Sequence, residues 1–305
     1  MSSSTSIFKG VWPALFTPIH PDGALNVKEL EKLLELMIVQ ELDGIYLLGS
    51  TGQGFLFSEK ERKEIASATI EIVNNRLPVM VQVGAMSTDE SIRLAKHAAG
   101  LGACGISSVG PIYYGSNAQM AFEHYKLIAG ATEVPFFPYQ IGNAASGEMI
   151  DNLLSLPQVL GMKLTTDKML EISSIRNRVG DKWKLFSGAD ELICQAALCG
   201  TVGAIGTTYN MFGPTCKQIR QRFLDGETQM AVDFMLTFQK FIEKILPYAW
   251  SFFNKSMQLR HNITIGEARR PLMSHKLPWT DQEIIAMMDE VDRFYIPASN
   301  TVAAH

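Results

Sequence analysis

The feature that most constrains the fold is the regular alternation, between residues 11 and 226, of short apolar runs with longer segments of helical period. Short runs rich in β-branched and aromatic residues are typical of strands. The eight predicted strands span residues 11–18, 44–49, 78–84, 105–111, 134–141, 159–165, 184–189 and 203–208. Eight successive βα units predict an α/β fold of the (β/α)8 TIM-barrel type, although a doubly wound open sheet would show a similar alternation.

Local signals favour the barrel. Two predicted helices begin with the S-x-x-E capping pattern, Ser58 with Glu61 and Ser87 with Glu90. The glycine-rich stretch after the second strand, GSTGQG (49–54), lacks the G-x-G-x-x-G spacing of a dinucleotide-binding loop. An open-sheet nicotinamide enzyme is therefore disfavoured.

The alternation ends near residue 227, which predicts a change of architecture there. Three helical stretches follow at about 228–248, 251–262 and 280–295, and the small polar residues at both termini are typical of frayed ends. We expect a barrel over residues 8–226 and a C-terminal three-helix extension over residues 227–297.

Composition excludes several classes of function. The net charge of −4, without a basic run interleaved with aromatics, argues against nucleic acid as a partner. No window approaches 18 uncharged apolar residues and the first residues do not resemble a secretion signal, so we expect no membrane span and a cytoplasmic location. The four cysteines form no CxxC pair and the six histidines show no HxxxH or HxH spacing, so we expect no metal site.

A lysine in the sixth predicted strand is the first candidate for chemistry. In VLGMKLTTDK (159–168), alternation places Val159, Gly161, Lys163 and Thr165 on one face, and the bulky apolar residues on the other. In a barrel, Lys163 would point inward near the C-terminal end of its strand, where barrel active sites are built. Apolar surroundings penalise an ammonium ion, which leaves a neutral amine able to attack a carbonyl. Alternatively, the lysine reaches solvent or pairs with a carboxylate.

Polar residues also follow three other strands. Ser50 and Thr51, between glycines, can offer hydroxyls and backbone amides to an anion, or form a plain turn. Tyr139 can transfer protons from the interior face, or cap a backbone carbonyl. Asp190 and Glu191 stand at a helix start, where acidic residues commonly complement the helix dipole. If they face a ligand instead, they favour one rich in hydroxyls over a phosphate.

Seven motifs at successive strand ends resemble one family. They are GSTG (49–52), VGAMS (83–87), PIYYG (111–115), Tyr139 with the loop after it, GMKLT (161–165), SGADE (187–191) and GTTYN (206–210). In this order, over most of residues 8–275, they resemble the N-acetylneuraminate lyase and dihydrodipicolinate synthase family of pyruvate-dependent class I aldolases. The resemblance implies a homotetrameric barrel enzyme that uses no metal or organic cofactor.

The resemblance also implies roles for individual residues. Lys163 would form the imine with a keto acid, with Tyr139 as proton shuttle, Ser50 and Thr51 binding the carboxylate, and Tyr114 (or Tyr113) lent across a subunit interface. The positions that match those holding the tail of a sugar acid are Thr165, Gly188, Asp190, Glu191 and Thr207.

Local features separate the two sister activities. The synthase uses an arginine in the loop after its catalytic tyrosine, and QIGNAASG (140–147) contains none. The GxDE pattern and the tyrosine of GTTYN also resemble the lyase, so we expect cleavage of N-acetylneuraminate to pyruvate and N-acetylmannosamine. Gln53 in place of glutamate, Gly142 and Asn143 in a longer loop, and Thr207 in place of serine depart from the family pattern and leave the exact sugar open.

Three other functions remain compatible with the sequence. One is aldol cleavage or dehydration of another 2-keto-3-deoxy acid, and another is binding of a small acid without turnover. The third is a phosphate-binding barrel enzyme, since Gly203 and Gly206 flank the eighth strand where such sites occur. Asp190 and Glu191 would repel a phosphate, which makes this alternative the weakest.

Overall fold

The computed structural model describes residues 5–114, 117–141 and 146–297. Eight parallel strands form one sheet in the order β1-β8-β7-β6-β5-β4-β3-β2. The strands are β1 Gly10–Pro13, β2 Ile45–Leu47, β3 Val79–Gln82, β4 Gly105–Val109, β5 Phe136–Ile141, β6 Gly161–Thr165, β7 Lys184–Ser187 and β8 Gly203–Gly206. Strands β1 and β2 meet through a parallel bridge between Ala14 and Tyr46, so the sheet closes on itself. The predicted (β/α)8 barrel is confirmed.

Helices alternate with the strands and then continue past the barrel. They are α1 Val27–Val39, α2 Glu59–Val73, α3 Thr88–Gly100, α4 Ala118–Ala129, α5 Gly147–Leu154, α6 Met169–Val179, α7 Ile193–Leu198, α8 Tyr209–Leu224, α9 Thr228–Ile245, α10 Ala249–His261 and α11 Asp281–Asp292. Helix α2 begins with the complete capping box of Ser58 and Glu61, and Ser87 accepts the Glu90 N–H at the start of α3. None of the helices in the described residues is both long and apolar enough to cross a membrane.

The C-terminal helices pack on one side of the barrel. Phe234 and Phe238 of α9 stack on each other, and Phe212 of α8 contacts Phe238 edge to face. Beyond α10, the Arg269 guanidinium donates to the carbonyl oxygens of Gly23 and Leu56 at 2.5 and 2.8 Å. The segment after α10 is therefore bonded directly to loops of the barrel.

Apolar side chains pack on both sides of the ring of strands, in an interior layer and in an outer layer. The interior of the barrel is filled by Phe8, Trp12, Ala14, Tyr46, Met80, Phe137, Phe186 and Ile205. Met162 and Leu164 of β6 belong to the outer layer beneath the helices, as predicted, which leaves Lys163 on the interior side. The prediction was wrong for Val159, which packs in the outer layer, and for Leu160, which packs against the interior cluster. Both residues precede β6, so strand alternation does not extend to them.

The interior cluster generates a prediction about stability. Phe186 is fully buried and contacts Trp12 and Phe137 edge to face. Phe186→Ala should lower the free energy of unfolding by about 3–5 kcal/mol, because it leaves a cavity that the strands of a closed barrel cannot move inward to fill. Leu170→Ala is the control, since Leu170 is 80% exposed and its loss should cost less than about 0.5 kcal/mol. Equal losses of unfolding free energy for the two variants, measured by chemical denaturation, would contradict this account of the interior.

Candidate active site

Lys163 lies inside the barrel near the C-terminal end of β6. The side chain is only 5% exposed, and β6 pairs with β5 at Tyr139 and with β7 at Phe186. The Nζ atom stands 4.0 Å from the ring centroid of Tyr139 and 4.5 Å from that of Tyr46. The amine is therefore held between two aromatic faces and away from bulk solvent.

A pair of hydroxyls lies beside the amine. The Tyr139 hydroxyl and Thr165 Oγ1 are 3.1 Å apart and share a hydrogen bond. Gly188 leaves the space that this pair needs, because a Cβ at position 188 would lie 2.0 Å from Thr165 Oγ1 and 3.1 Å from Lys163 Cε. Four of the predicted site residues are thus brought together from three neighbouring strand ends.

A second hydroxyl pair joins the ends of β2 and β8. Thr51 Oγ1 and Thr207 Oγ1 are 2.6 Å apart, and Thr51 is buried whereas Ser50 is exposed. Ser50 and Tyr139 both line a cavity of about 820 Å³ that extends to the surrounding helices, and Lys163 does not line it. Thr207 was predicted to hold a substrate tail, and its hydroxyl is hydrogen-bonded to the predicted carboxylate-binding residue.

Asp190 is buried and hydrogen-bonded to the start of α8. Its Oδ2 accepts the Thr208 N–H at 2.7 Å and the Thr208 hydroxyl at 2.6 Å. A side chain at Gly206 would overlap Asp190 Oδ1, so the glycine admits the carboxylate to the interior. Burial raises the pKa of the Asp190 carboxyl to about 6, while the Thr208 bonds and Lys163 act in the opposite direction. Glu191 is half-buried, and its backbone carbonyl accepts from Gln239 of α9 at 2.8 Å.

Other predicted residues lie apart from the amine or outside the described residues. Tyr114 is 71% exposed and contacts the ring of Tyr113, so within one chain it stays on the surface. Gln53 accepts the Arg269 N–H at 2.7 Å and thus bonds to the segment after α10. The loop residues Gly142 and Asn143 lie outside the described residues.

Sequence reasoning missed Tyr46. Its ring faces Lys163, and its hydroxyl donates to Ser107 Oγ at 3.1 Å. The strand IYL is apolar on both faces apart from this hydroxyl, so strict alternation could not identify the inward residue. The available signal was a phenol in a buried strand, which needs a hydrogen-bond partner and is therefore often fixed in place.

In the ranges 5–114, 117–141 and 146–297, no group of three or more His, Cys, Asp or Glu side chains could hold a metal ion.

The raised pKa of Asp190 generates a prediction about pH. A carboxyl whose pKa rises from 3.8 to about 6 on folding binds its proton more tightly in the folded state. The free-energy cost of burying the ionised carboxylate is absent below pH 3.8 and fully present above about pH 6. Asp190→Asn should therefore raise the free energy of unfolding by roughly 2–3 kcal/mol at pH 8, with a gain that disappears near pH 4. A gain in unfolding free energy that does not vary with pH, measured by chemical denaturation, would contradict the raised pKa of Asp190.

The chain is similar to one known protein family and to several solved structures. The model of the dihydrodipicolinate synthetase family matches residues 7–283. A sialic acid aldolase from Ruminococcus gnavus superposes with a TM-score of 0.90 at 22% identity, over 95% of this chain and 100% of its own. A putative dihydrodipicolinate synthetase from Pseudomonas aeruginosa gives 0.86 at 24%, over 93% and 99%.

At these two identities the likeness shows the fold alone. An N-acetylneuraminate lyase from Fusobacterium nucleatum gives a TM-score of 0.85 at 26% identity, over 95% of this chain and 99% of its own. The family resemblance stated from the strand-end motifs is confirmed by the match of the family model over nearly the whole chain. The chain therefore belongs to the dihydrodipicolinate synthetase family, whose members are lyases and aldolases.

Proposed function

We propose that this protein is a Schiff-base aldolase in which Lys163 condenses with the ketone of a 2-keto acid. The observation that carries the proposal is the buried Lys163 amine between the Tyr46 and Tyr139 rings, beside the hydroxyl pair of Tyr139 and Thr165. A sheltered amine with a hydroxyl relay next to it is the arrangement that imine chemistry requires.

The reaction begins with attack of neutral Lys163 Nζ on the carbonyl carbon. The C–N bond forms, the former carbonyl oxygen leaves as water, and uptake of one proton from solvent gives a protonated imine. The Tyr139 and Thr165 pair then relays the proton of the substrate's C4 hydroxyl to water while the C3–C4 bond breaks and its electrons move toward the iminium nitrogen. An aldehyde departs, the enamine gains a proton at C3, and water hydrolyses the imine to release pyruvate and the free amine.

The carboxylate of the keto acid would lie at the end of β2. Ser50 and Thr51 offer hydroxyls and backbone amides there, and the bond from Thr207 holds the Thr51 hydroxyl in one orientation. Binding one end of the substrate in a fixed site aligns its ketone with Nζ and lowers the entropy cost of reaction. In this proposal Thr207 orients a binding group.

We assign N-acetylneuraminate as the substrate, with N-acetylmannosamine as the second product. The loop after Tyr139 contains no arginine that could bind the carboxylate of a synthase substrate. A similar solved structure at 26% identity is described as N-acetylneuraminate lyase, which favours the same choice. Thr165, Gly188 and Glu191 would face the hydroxylated tail, and Asp190 would support that wall through Thr208.

The assembly and the domain division are part of the same proposal. A barrel over residues 8–226 and a helical extension over 227–297 would assemble as a homotetramer. The exposed ring of Tyr114, or alternatively that of Tyr113, would enter a neighbouring subunit, as the family resemblance implies. Each subunit would bind a small keto acid as its substrate.

Reductive trapping tests the imine directly. Treatment with borohydride and pyruvate should attach pyruvate to the peptide containing Lys163, and Lys163→Arg should abolish both the adduct and turnover. Lys168→Arg is the matched control, because Lys168 is exposed at the start of α6 and should be dispensable. Tyr139→Phe should keep the adduct but lose roughly 10²–10⁴-fold in turnover, since only proton transfer is removed. An adduct that survives Lys163→Arg would refute the assignment of the nucleophile.

Substrate comparison tests the finer assignment. Pyruvate release should be faster from N-acetylneuraminate than from 2-keto-3-deoxygluconate, and Glu191→Ala should reduce that preference by roughly 10-fold or more through loss of hydrogen bonds to the tail. Measurement of kcat/KM for both compounds on both proteins provides the ratio. A preference for 2-keto-3-deoxygluconate would assign the enzyme to another 2-keto-3-deoxy acid and leave the imine chemistry unchanged.

A further inference from the structure

Tyr46 contributes a second aromatic face to the buried amine. The residue lies in the middle of β2, is fully buried, and has its ring centroid 4.5 Å from Lys163 Nζ. Its ring is nearly perpendicular to that of Tyr139, at 86° with 6.3 Å between centroids. The two faces therefore approach the nitrogen from different directions.

The two tyrosines differ in where their hydroxyls point. The Tyr139 hydroxyl reaches Thr165, whereas the Tyr46 hydroxyl donates to Ser107 Oγ on β4. Burial raises the pKa of the Tyr46 phenol far above its usual range, with the nearby Tyr139 acting in the same direction. Tyr46 thus stays a neutral phenol, and its contact with Nζ is through the π face.

The position of the Tyr46 ring is fixed by its surroundings. A Cβ at Gly49 would lie 2.6 Å from Tyr46 Cε1, so the first glycine of GSTG leaves room for the ring edge. The hydroxyl bond to Ser107 holds the opposite end of the side chain. A ring held at both ends keeps its face toward Nζ without paying further conformational entropy during the reaction.

A π face at this distance favours a positive charge on the nitrogen. The attraction between a cation and an aromatic face is strongest where water is excluded, as it is around Lys163. During the proposed reaction the nitrogen is positive in the iminium and neutral in the unprotonated imine. Only the iminium withdraws electrons well enough to break the C3–C4 bond.

We propose that Tyr46 is a further catalytic residue, whose ring face keeps the imine formed at Lys163 in its protonated, electron-accepting form. The inference rests on the proposed aldolase function and adds a group to it. Three titratable side chains surround Nζ: Tyr46 from β2, Tyr139 from β5, and Asp190 from the turn after β7, which interacts with Lys163 through space. The test must separate the effect of Tyr46 from those of the other two.

Fluorination of the ring provides that separation. Phenylalanine and its monofluoro, difluoro and trifluoro derivatives are incorporated at position 46, which weakens the π face stepwise and changes the ring size little. The rate of cyanoborohydride trapping at saturating pyruvate is measured against pH, because this reagent reduces the iminium and not the neutral imine. The Tyr46→Phe protein is the reference for the series, because it lacks the Ser107 bond in the same way as each fluorinated protein. Relative to this reference, the alkaline limit of trapping should move down by about one pH unit across the series.

Control variants show whether a shift in the alkaline limit of trapping comes from the Tyr46 ring. Phe137→Leu removes another buried interior ring, which contacts Phe8 and Phe186, and should leave the alkaline limit unchanged. Repeating the series in the Tyr139→Phe and Asp190→Asn backgrounds should preserve the stepwise shift, because the replaced side chain cannot then cause it. A limit that stays constant across the fluorinated series would overturn the role of Tyr46. Failure of the unmodified protein to trap pyruvate would instead overturn the aldolase function.

Discussion

The candidate active site depends on the burial of one amine inside a closed ring of strands. Removing an ammonium group from water is costly, and a barrel interior provides few groups that could offset the cost. In this protein the aromatic faces of Tyr46 and Tyr139 lie within 4.5 Å of Lys163 Nζ. These ring faces offset part of the free-energy cost of removing a cation from water. Among the ion pairs of the described residues, none joins Lys163 Nζ to a carboxylate. The amine is therefore held by ring faces and not by an ion pair.

The polar groups around this amine also fasten the mouth of the barrel. The Tyr139 and Thr165 bond joins the ends of β5 and β6, and the Thr51 and Thr207 bond joins the ends of β2 and β8. Asp190 similarly links the turn after β7 to the start of α8. Each bond crosses between chain segments, so the hydroxyls are positioned before a substrate arrives. Such preorganisation reduces the rearrangement that the reaction would otherwise require.

Sequence reasoning recovered the fold and the central lysine because both follow from local periodicity. The period of β6 places Lys163 inward, and this part of the prediction required no knowledge of other strands. The pairing of Thr51 with Thr207 joins residues 156 positions apart, and periodicity alone gives no information on which side chains meet across a barrel. Tyr46 was missed for a related reason, since β2 is apolar on both faces. Val159 was misassigned because strand alternation was extended beyond the start of the strand.

The C-terminal segment explains why one departure from the family pattern bears on the site indirectly. Gln53 follows the loop that carries Ser50 and Thr51, and its side-chain oxygen accepts the backbone N–H of Arg269. A glutamate at this position could accept the same bond with a full negative charge, which is stronger than a bond to a neutral amide. The difference between the two side chains therefore changes how firmly the extension holds the loop after β2. Because the proposed carboxylate site includes Ser50 and Thr51, the extension would contribute to its geometry together with the barrel.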